Sequence, residues 1–234
     1  MSTLVLALDG PLQSWGVTGR FVTRSTQKTP TKSGVLGMIA AAQGRYRTDS
    51  VADLLDLSFA VRTDQQGSLL RDFQTEIDWR PKEPKSKPLT NRWYLQDYKF
   101  TVAVGGDRSV LETIDAALKA PEFPLYLGRR SCPPACRVSR GIVDTDPAEA
   151  LAQAPWLAAD WYREKQPTTL DLPVSRDVRP GETPDEQVRD APVSFDPRDR
   201  RYALRGVAHE WVSMDNPNGY DPEQHDPFTL LGGI

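Results

Sequence analysis

Four groups of side chains in this chain have types and spacing suited to meeting a polyanion. The run Thr31-Lys32-Ser33-Gly34 offers hydroxyls, a cation and backbone N–H groups where a loop enters a helix, an arrangement that suits phosphate. It lacks the Gly-x4-Gly-Lys spacing of a nucleotide-binding P-loop, so nucleotide hydrolysis is not implied, and the same residues would serve as a plain helix cap. Arg129 and Arg130 follow Gly128 in a loop, where guanidinium forks suit phosphates or stacked bases. Gln13 pairs a donor with an acceptor, as a base edge requires. Trp15, beside Gly16, either stacks a base or fills the core, and the sequence leaves both open. Arg24 adds a cation between these segments. Lys82, Lys85, Lys87 and Arg92 form a basic, proline-punctuated stretch whose simplest partners are phosphate or plain solvent.

Acid–base chemistry is poorly provided for. Only two histidines occur, His209 and His225, and both lie late in the chain, away from the basic loops in sequence. General acid–base cleavage near neutral pH usually needs such a group, so an enzyme is not expected. Cys132 and Cys136 are the only cysteines. A structural zinc site needs four ligands, and no second pair completes this one, so neither a metal nor another cofactor is expected. Two reduced thiols are the plain reading, with a redox or disulfide role as the alternative.

The net charge of −3 hides an uneven distribution. Between Asp9 and Asp49 there is no acid, while Arg20, Arg24, Lys28, Lys32, Arg45 and Arg47 all fall there. Trp79 to Trp93 carries Arg80, Lys82, Lys85, Lys87 and Arg92 against Glu83 alone, and Arg129, Arg130, Arg137 and Arg140 cluster further on. Residues 144 to 200 hold 13 acids against 7 bases. A polyanion-binding face on an otherwise acidic body follows. The longest nearly apolar run, Gly34 to Ala42, falls far short of the roughly 20 residues of a membrane span. With no secretion signal recognisable, a cytoplasmic protein with no membrane partner is expected.

The elements that must carry these residues read in order. Leu4 to Leu8 is a buried strand. A long loop runs to Lys32, and Ser33 caps a helix from Gly34 to about Gln43, stopped by Gly44. A second short helix fits Asp49 to Leu57, and Ser58 to Arg62 is a strand. Phe73, Thr75, Ile77 and Trp79 alternate with polar residues, and Tyr98, Phe100, Val102 and Val104 return, so a hairpin of about 73–99 is predicted, projecting beyond the sheet. Ser109 and Glu112 suggest a capping box for the next helix, which Pro121 ends. Arg137 to Val143 closes the sheet, and Asp146-Pro147-Ala148-Glu149 starts another helix. The fold class is α+β, ferredoxin-like over residues 1–145, with an inserted hairpin. Residues 146–234 form a smaller extension in which Tyr202 to Met214 alone looks strand-like, ending in a loose acidic, Pro-rich tail.

Three segments then point to a family: Gly10-Pro11-Leu12-Gln13-Ser14-Trp15-Gly16, Pro30-Thr31-Lys32-Ser33-Gly34-Val35-Leu36-Gly37, and Leu125 to Pro134 with its Gly128-Arg129-Arg130 core. In this order they closely resemble the fifth CRISPR-associated protein family, of the RAMP superfamily, in its type I-E Cascade branch. The likeness is strong from Leu4 to about Pro134 and weak beyond. It implies a non-catalytic subunit that holds the 5′ handle of the CRISPR RNA (crRNA) and contacts the adjacent backbone subunit through a thumb hairpin. It also implies a neighbouring large subunit, with target DNA met only indirectly. Lys82, Lys85, Lys87 and Arg92 would then be thumb contacts. In a related subtype a relative cleaves repeat RNA without metal, which makes an endoribonuclease the alternative reading. The family often has a His after the aromatic near the thumb's start, where this chain has Gln74.

Overall fold

The computed structural model describes residues 1–16 and 23–221. Its elements in chain order begin with β1 (Ser2–Asp9), β2 (Leu12–Gln13), β3 (Thr23–Arg24), α1 (Lys32–Ala42) and β4 (Ser58–Gln65). There follow β5 (Ser68–Gln74), β6 (Ile77–Asp78), β7 (Lys85–Ser86), β8 (Thr90–Gln96), β9 (Lys99–Gly106) and α2 (Arg108–Lys119). The remainder is β10 (Ser139–Val143), α3 (Pro147–Gln153), α4 (Asp160–Arg163), β11 (Thr169–Asp177), β12 (Glu186–Ser194) and β13 (Arg201–Asp215). The protein is mixed α/β and mostly strand.

One seven-stranded sheet runs β10-β1-β9-β4-β11-β13-β12, antiparallel throughout. Its first four strands, numbered among themselves in chain order, stand 4-1-3-2. Alternation along each strand sorts the two faces. Leu4, Leu6 and Leu8 of β1, Phe59 and Val61 of β4, and Phe100, Val102 and Val104 of β9 pack with Leu36 and Ile39 of α1 and Leu111 and Ile114 of α2. Val5, Ala60 and Ala103 face the other way, against Ala150 and Leu151 of α3. On that second face the Arg62–Asp64 ion pair is fully buried. Arg62 donates to the carbonyls of Leu151, Ala154 and Pro155, and Asp64 accepts from Thr101 Oγ1 and the Leu157 N–H. A buried charge pair survives only when its remaining donors and acceptors are answered, and this one ties the 151–157 segment to the sheet.

Several boundaries depart from expectation. The first helix begins at Lys32, and its cap is Thr31, not Ser33: the Thr31 hydroxyl accepts from the Gly34 N–H at 3.2 Å. Asp107, not Ser109, stands at the cap position of α2, without a side-chain bond. Between Asp49 and Leu57 the helix is a single 3-10 turn, Ala52–Leu54. Of the run Tyr98 to Val104, Lys99 onward belongs to β9 in the main sheet. The exposed hairpin is instead β5 paired with β8, from Ser68↔Gln96 to Gln74↔Thr90, with β6 and β7 paired beyond. Two adjacent alternating stretches separated by one turn look alike in sequence, and only pairing distinguishes them.

The largest correction lies after residue 168. Three strands, not one, follow there, and all join the main sheet through β11 against β4. Asp and Pro had masked β11 and β12. On β11 the outward positions are polar or proline and the inward apolar ones, such as Leu172 and Val174, are few, and on β12 the buried positions are Asp190 and Pro192 themselves. The loose tail expected at the end lies outside the described residues, as do His225 and Arg20. Among the described residues no helix is long and apolar enough to cross a membrane.

Candidate nucleic-acid interface

The three segments singled out in the sequence meet in space. Ser14 N–H donates to the Leu127 carbonyl at 3.1 Å, and Ala135 N–H to the Asp9 carbonyl at 2.8 Å. Gly128, at φ +86°, sits so close to the Ser14 carbonyl that a Cβ would lie 1.8 Å from its oxygen. Gly34 plays the matching part for α1, since a Cβ there would meet the Trp15 ring at 2.7 Å. Trp15 is therefore sandwiched among all three segments, 1 % exposed. Its indole N–H donates to Gln13 Oε1, and Gln13 Nε2 donates to the carbonyls of Leu8 and Tyr98. Of the two readings open for Trp15, the structure places the ring in the core, and the Gln13 amide is consumed inside the fold.

The donor-rich loop at the start of α1 is also answered from within. Asp190, 1 % exposed, accepts from the Lys32 N–H at 2.8 Å, so a carboxylate of the chain itself occupies the helix N-terminus. Lys32 Nζ pairs with Asp177 at 2.9 Å. Arg205 bridges the same two acids, to Asp190 at 2.6 Å and Asp177 at 2.8 Å, and packs over the Phe59 ring. Thr31 caps the helix, and Ser33 is buried. Lys32, through the two acids it shares with Arg205, thus ties α1 to β11, β12 and β13. Sequence reasoning missed Asp177, Asp190 and Arg205; each acid directly follows an arginine, Arg176 and Arg189, and so reads locally as part of a solvated charge pair.

Arg129 is a clamp. Its guanidinium lies 4.8 Å from the Tyr94 ring centroid and donates to the carbonyls of Trp93, Arg24 and Ser25, holding β3 and β8 to the Gly128 loop. Arg130, its neighbour, and Arg24 are exposed, with no side-chain partner among the described residues. Arg130 opens onto a groove along the outer side of α1 that encloses about 960 Å³. Ser33, Gly34, Gly37 and Ala41 give it a small-residue floor. Tyr46, Phe123, Tyr126 and Phe195 supply aromatic walls, and Arg45, Arg47, Arg130 and Arg200 line it, with no carboxylate in the lining. Tyr46 and Phe123 meet edge to face at 5.6 Å. Arg45 is pinned to Asp53, whose carboxyl the guanidinium holds below its ordinary range. Arg47 is exposed without a side-chain partner among the described residues, and Arg200 lies over the Tyr202 ring. Sequence reasoning named Arg130, Ser33 and Gly34 here but not the aromatic walls, which come from three distant segments.

On the hairpin, Lys82, Lys85 and Lys87 are exposed, while Arg92 pairs with Glu76. The same hairpin exposes Phe73 and, at 73 %, Trp79. Cys132 and Cys136 are free thiols; burial pushes the Cys132 thiol up. Among the described residues no cluster of His, Cys, Asp or Glu is placed to hold a metal ion. His209 lies on β13, bonded to Ser175 at 3.1 Å and 3.4 Å from Glu186, and is not in the groove lining.

Comparison with known proteins agrees with this architecture. Residues 3–208 match the family described as CRISPR-associated protein (Cas_Cas5). The chain is 35 % identical over 187 residues to the CRISPR system Cascade subunit CasD of Escherichia coli (strain K12), covering 71 % of this chain and 83 % of that one. Among solved structures, a Cas protein superposes with a TM-score of 0.70 at 36 % identity, over 94 % of this chain and 98 % of the other. A chain of a CRISPR RNA-guided surveillance complex gives 0.75 at 32 % identity, over 98 % of both. The chain belongs to the CRISPR-associated Cas5 family.

Proposed function

We propose that this Cas5-family chain is a non-catalytic, RNA-binding subunit of a type I-E Cascade complex, and that it holds the 5′ handle of the crRNA along the α1 groove. One observation carries the reading: the groove sets exposed arginines among aromatic rings with no carboxylate between them. Phosphates give affinity to such a surface, and bases splayed from a single strand stack on its rings. The relatives support the assembly, since one is a Cascade subunit and another belongs to an RNA-guided surveillance complex.

Within this reading Arg24, Arg47, Arg130 and Arg200 meet RNA directly. Gln13, Trp15, Thr31, Lys32 and Arg129 hold the shape of the surface, and Ser33 and Gly34 keep its floor low. The 4-1-3-2 strand order supports a ferredoxin-like RAMP core over residues 1–145, with 146–234 as its extension. The β5–β8 hairpin is the thumb. Its exposed Phe73, Ile77, Trp79 and Leu89 suit a protein neighbour, the backbone subunit, and Lys82, Lys85 and Lys87 suit the RNA beside it. Arg92 acts through Glu76. The large subunit is a further neighbour, and target DNA is met only through the complex.

The test is handle protection in the co-expressed complex. Arg47→Ala with Arg130→Ala should shorten or lose the protected 5′ end while the protein stays folded; full protection would refute the groove assignment. For the endoribonuclease alternative, repeat RNA incubated with the purified protein in EDTA and in Mg²⁺ should remain intact on a denaturing gel. A specific cut abolished by His209→Ala would establish the alternative instead.

A further inference from the structure

Among the described residues, the face of the sheet that α1 covers near Asp177 and Arg205 continues beyond it without cover. On this face β11 and β13 place side chains directly opposite one another: Ser175 with His209, Pro173 with Trp211, Asp171 with Ser213, and Thr169 with Asp215. Trp211 is 69 % exposed at the centre of this strip. The opposite faces of the same strands are used, with Leu172 and Val174 packed against the segment around α3. Among the described residues, only one side of this part of the sheet therefore lacks cover.

The charge on the strip has one sign. Asp171 and Asp215 stand at the next two register steps on one side of Trp211, both exposed, and the carboxylates on its other side lie beyond His209. At the β12 edge, Glu186 stands 3.4 Å from His209 Nε2, and Asp185 accepts from the His209 backbone N–H at 2.8 Å. None of the eight strip positions on β11 and β13 is lysine or arginine. Arg176 points to the other face, where Glu182 and Glu210 hold it.

We propose that this strip is a docking surface for an arginine-bearing segment of a partner protein. A guanidinium within about 6 Å of an indole face is attracted to the ring, and carboxylates on both sides answer its charge. Charge complementarity selects this occupant: four carboxylates repel nucleic acid, so the strip cannot extend the arginine-lined groove. An indole left in water, with no ring or hydrogen-bond partner among the described residues, marks the centre of the contact, where aromatic anchors concentrate binding energy. This inference does not rest on the RNA reading; it needs only the fold of β11 to β13.

The full-length protein is titrated with a capped seven-residue peptide of alternating glycine and arginine, and with its glutamate counterpart, at low and physiological salt. The arginine peptide should bind, weakening with salt, and the glutamate peptide should not. Trp211→Ala, and separately Asp171→Asn with Asp215→Asn, should each weaken binding at least fivefold with an unchanged melting temperature. Equal binding by wild type and both variants would overturn the proposal. A photo-crosslinking residue at position 211 in the co-expressed complex gives the second reading. Attachment to a protein segment containing arginine supports the docking surface. Attachment to RNA, to this chain's own residues 222–234, or to nothing overturns it, whether or not the groove holds the handle.

Discussion

The α1 groove and the Trp211 strip both set exposed aromatic rings among charges of a single sign, and the signs are opposite. The difference arises between them. Asp177 and Asp190 of the C-terminal strands neutralise Lys32 and Arg205 in a mostly buried network. The cations that stay open then belong to the groove, and the acids that stay open belong to the strip. A chain with a net charge of only −3 can in this way present a polyanion site and a polycation site at once. The two regions also differ in how they are held. The groove rests on loops locked by glycines at close contacts, whereas the strip is the bare face of paired strands.

Breaking the groove's support should give the largest effect. Gly128→Val puts a branched side chain at a positive φ and against the Ser14 carbonyl, and should cost about 4 kcal/mol or more, lowering the urea midpoint or abolishing soluble protein. Trp211→Ala in the strip should change stability by less than about 0.5 kcal/mol. A Gly128→Val protein of ordinary stability would show that the three segments are not locked together. Asp190→Ala removes the carboxylate shared by the α1 N-terminus and Arg205 and should cost about 3 kcal/mol by denaturant unfolding. Retained stability would mean that α1 and the C-terminal strands are held independently.

Smaller effects sharpen the contrast in charge. Losing Arg47 and Arg130 together should reduce the salt slope of RNA binding by about 1.4, at about 0.7 per phosphate contact on a single strand. Neutralising Asp171 and Asp215 should leave that slope unchanged, which filter binding at several salt concentrations would check. Replacing residues 77–87 at the hairpin tip with a short Gly-Ser turn should keep the melting temperature within a few degrees, because the tip is exposed on both sides and contributes nothing to the core clusters. Recovery of a complete complex with that variant would remove the hairpin from the assembly contacts.

The least effect concerns acid. Arg176 holds the Glu182 carboxyl down to about 2 from its ordinary 4.5. A depressed folded-state value stabilises the protein above 4.5, and the contribution is lost as pH falls toward 2. The melting-temperature difference between wild type and Glu182→Gln should therefore be constant from pH 8 to 6 and vanish near pH 2. A difference that persists at pH 2 would assign the effect to packing and not to the ion pair.

The sequence was legible where a segment's signal is local. The β1 run Leu4 to Leu8, the Gly44 stop of α1 and the Asp146 cap of α3 all appear as read. The three glycine-bearing segments were recognisable by their likeness to a family, although the close approaches that require Gly34 and Gly128 come from tertiary contacts. The uneven charge was visible in the same way. What the sequence could not supply was the partner of each charge and the pairing of each strand. Lys32 reads as a free cation until Asp177, 145 positions away, is found beside it, and Trp15 stays open between stacking a base and filling the core until Gly34 and Gly128 close over it. Register likewise assigns Lys99 to Val104 to the core sheet and brings β11 to β13 into it. Contacts between distant residues decide these questions. Their energies depend on burial and approach within a few ångström, which no local pattern encodes.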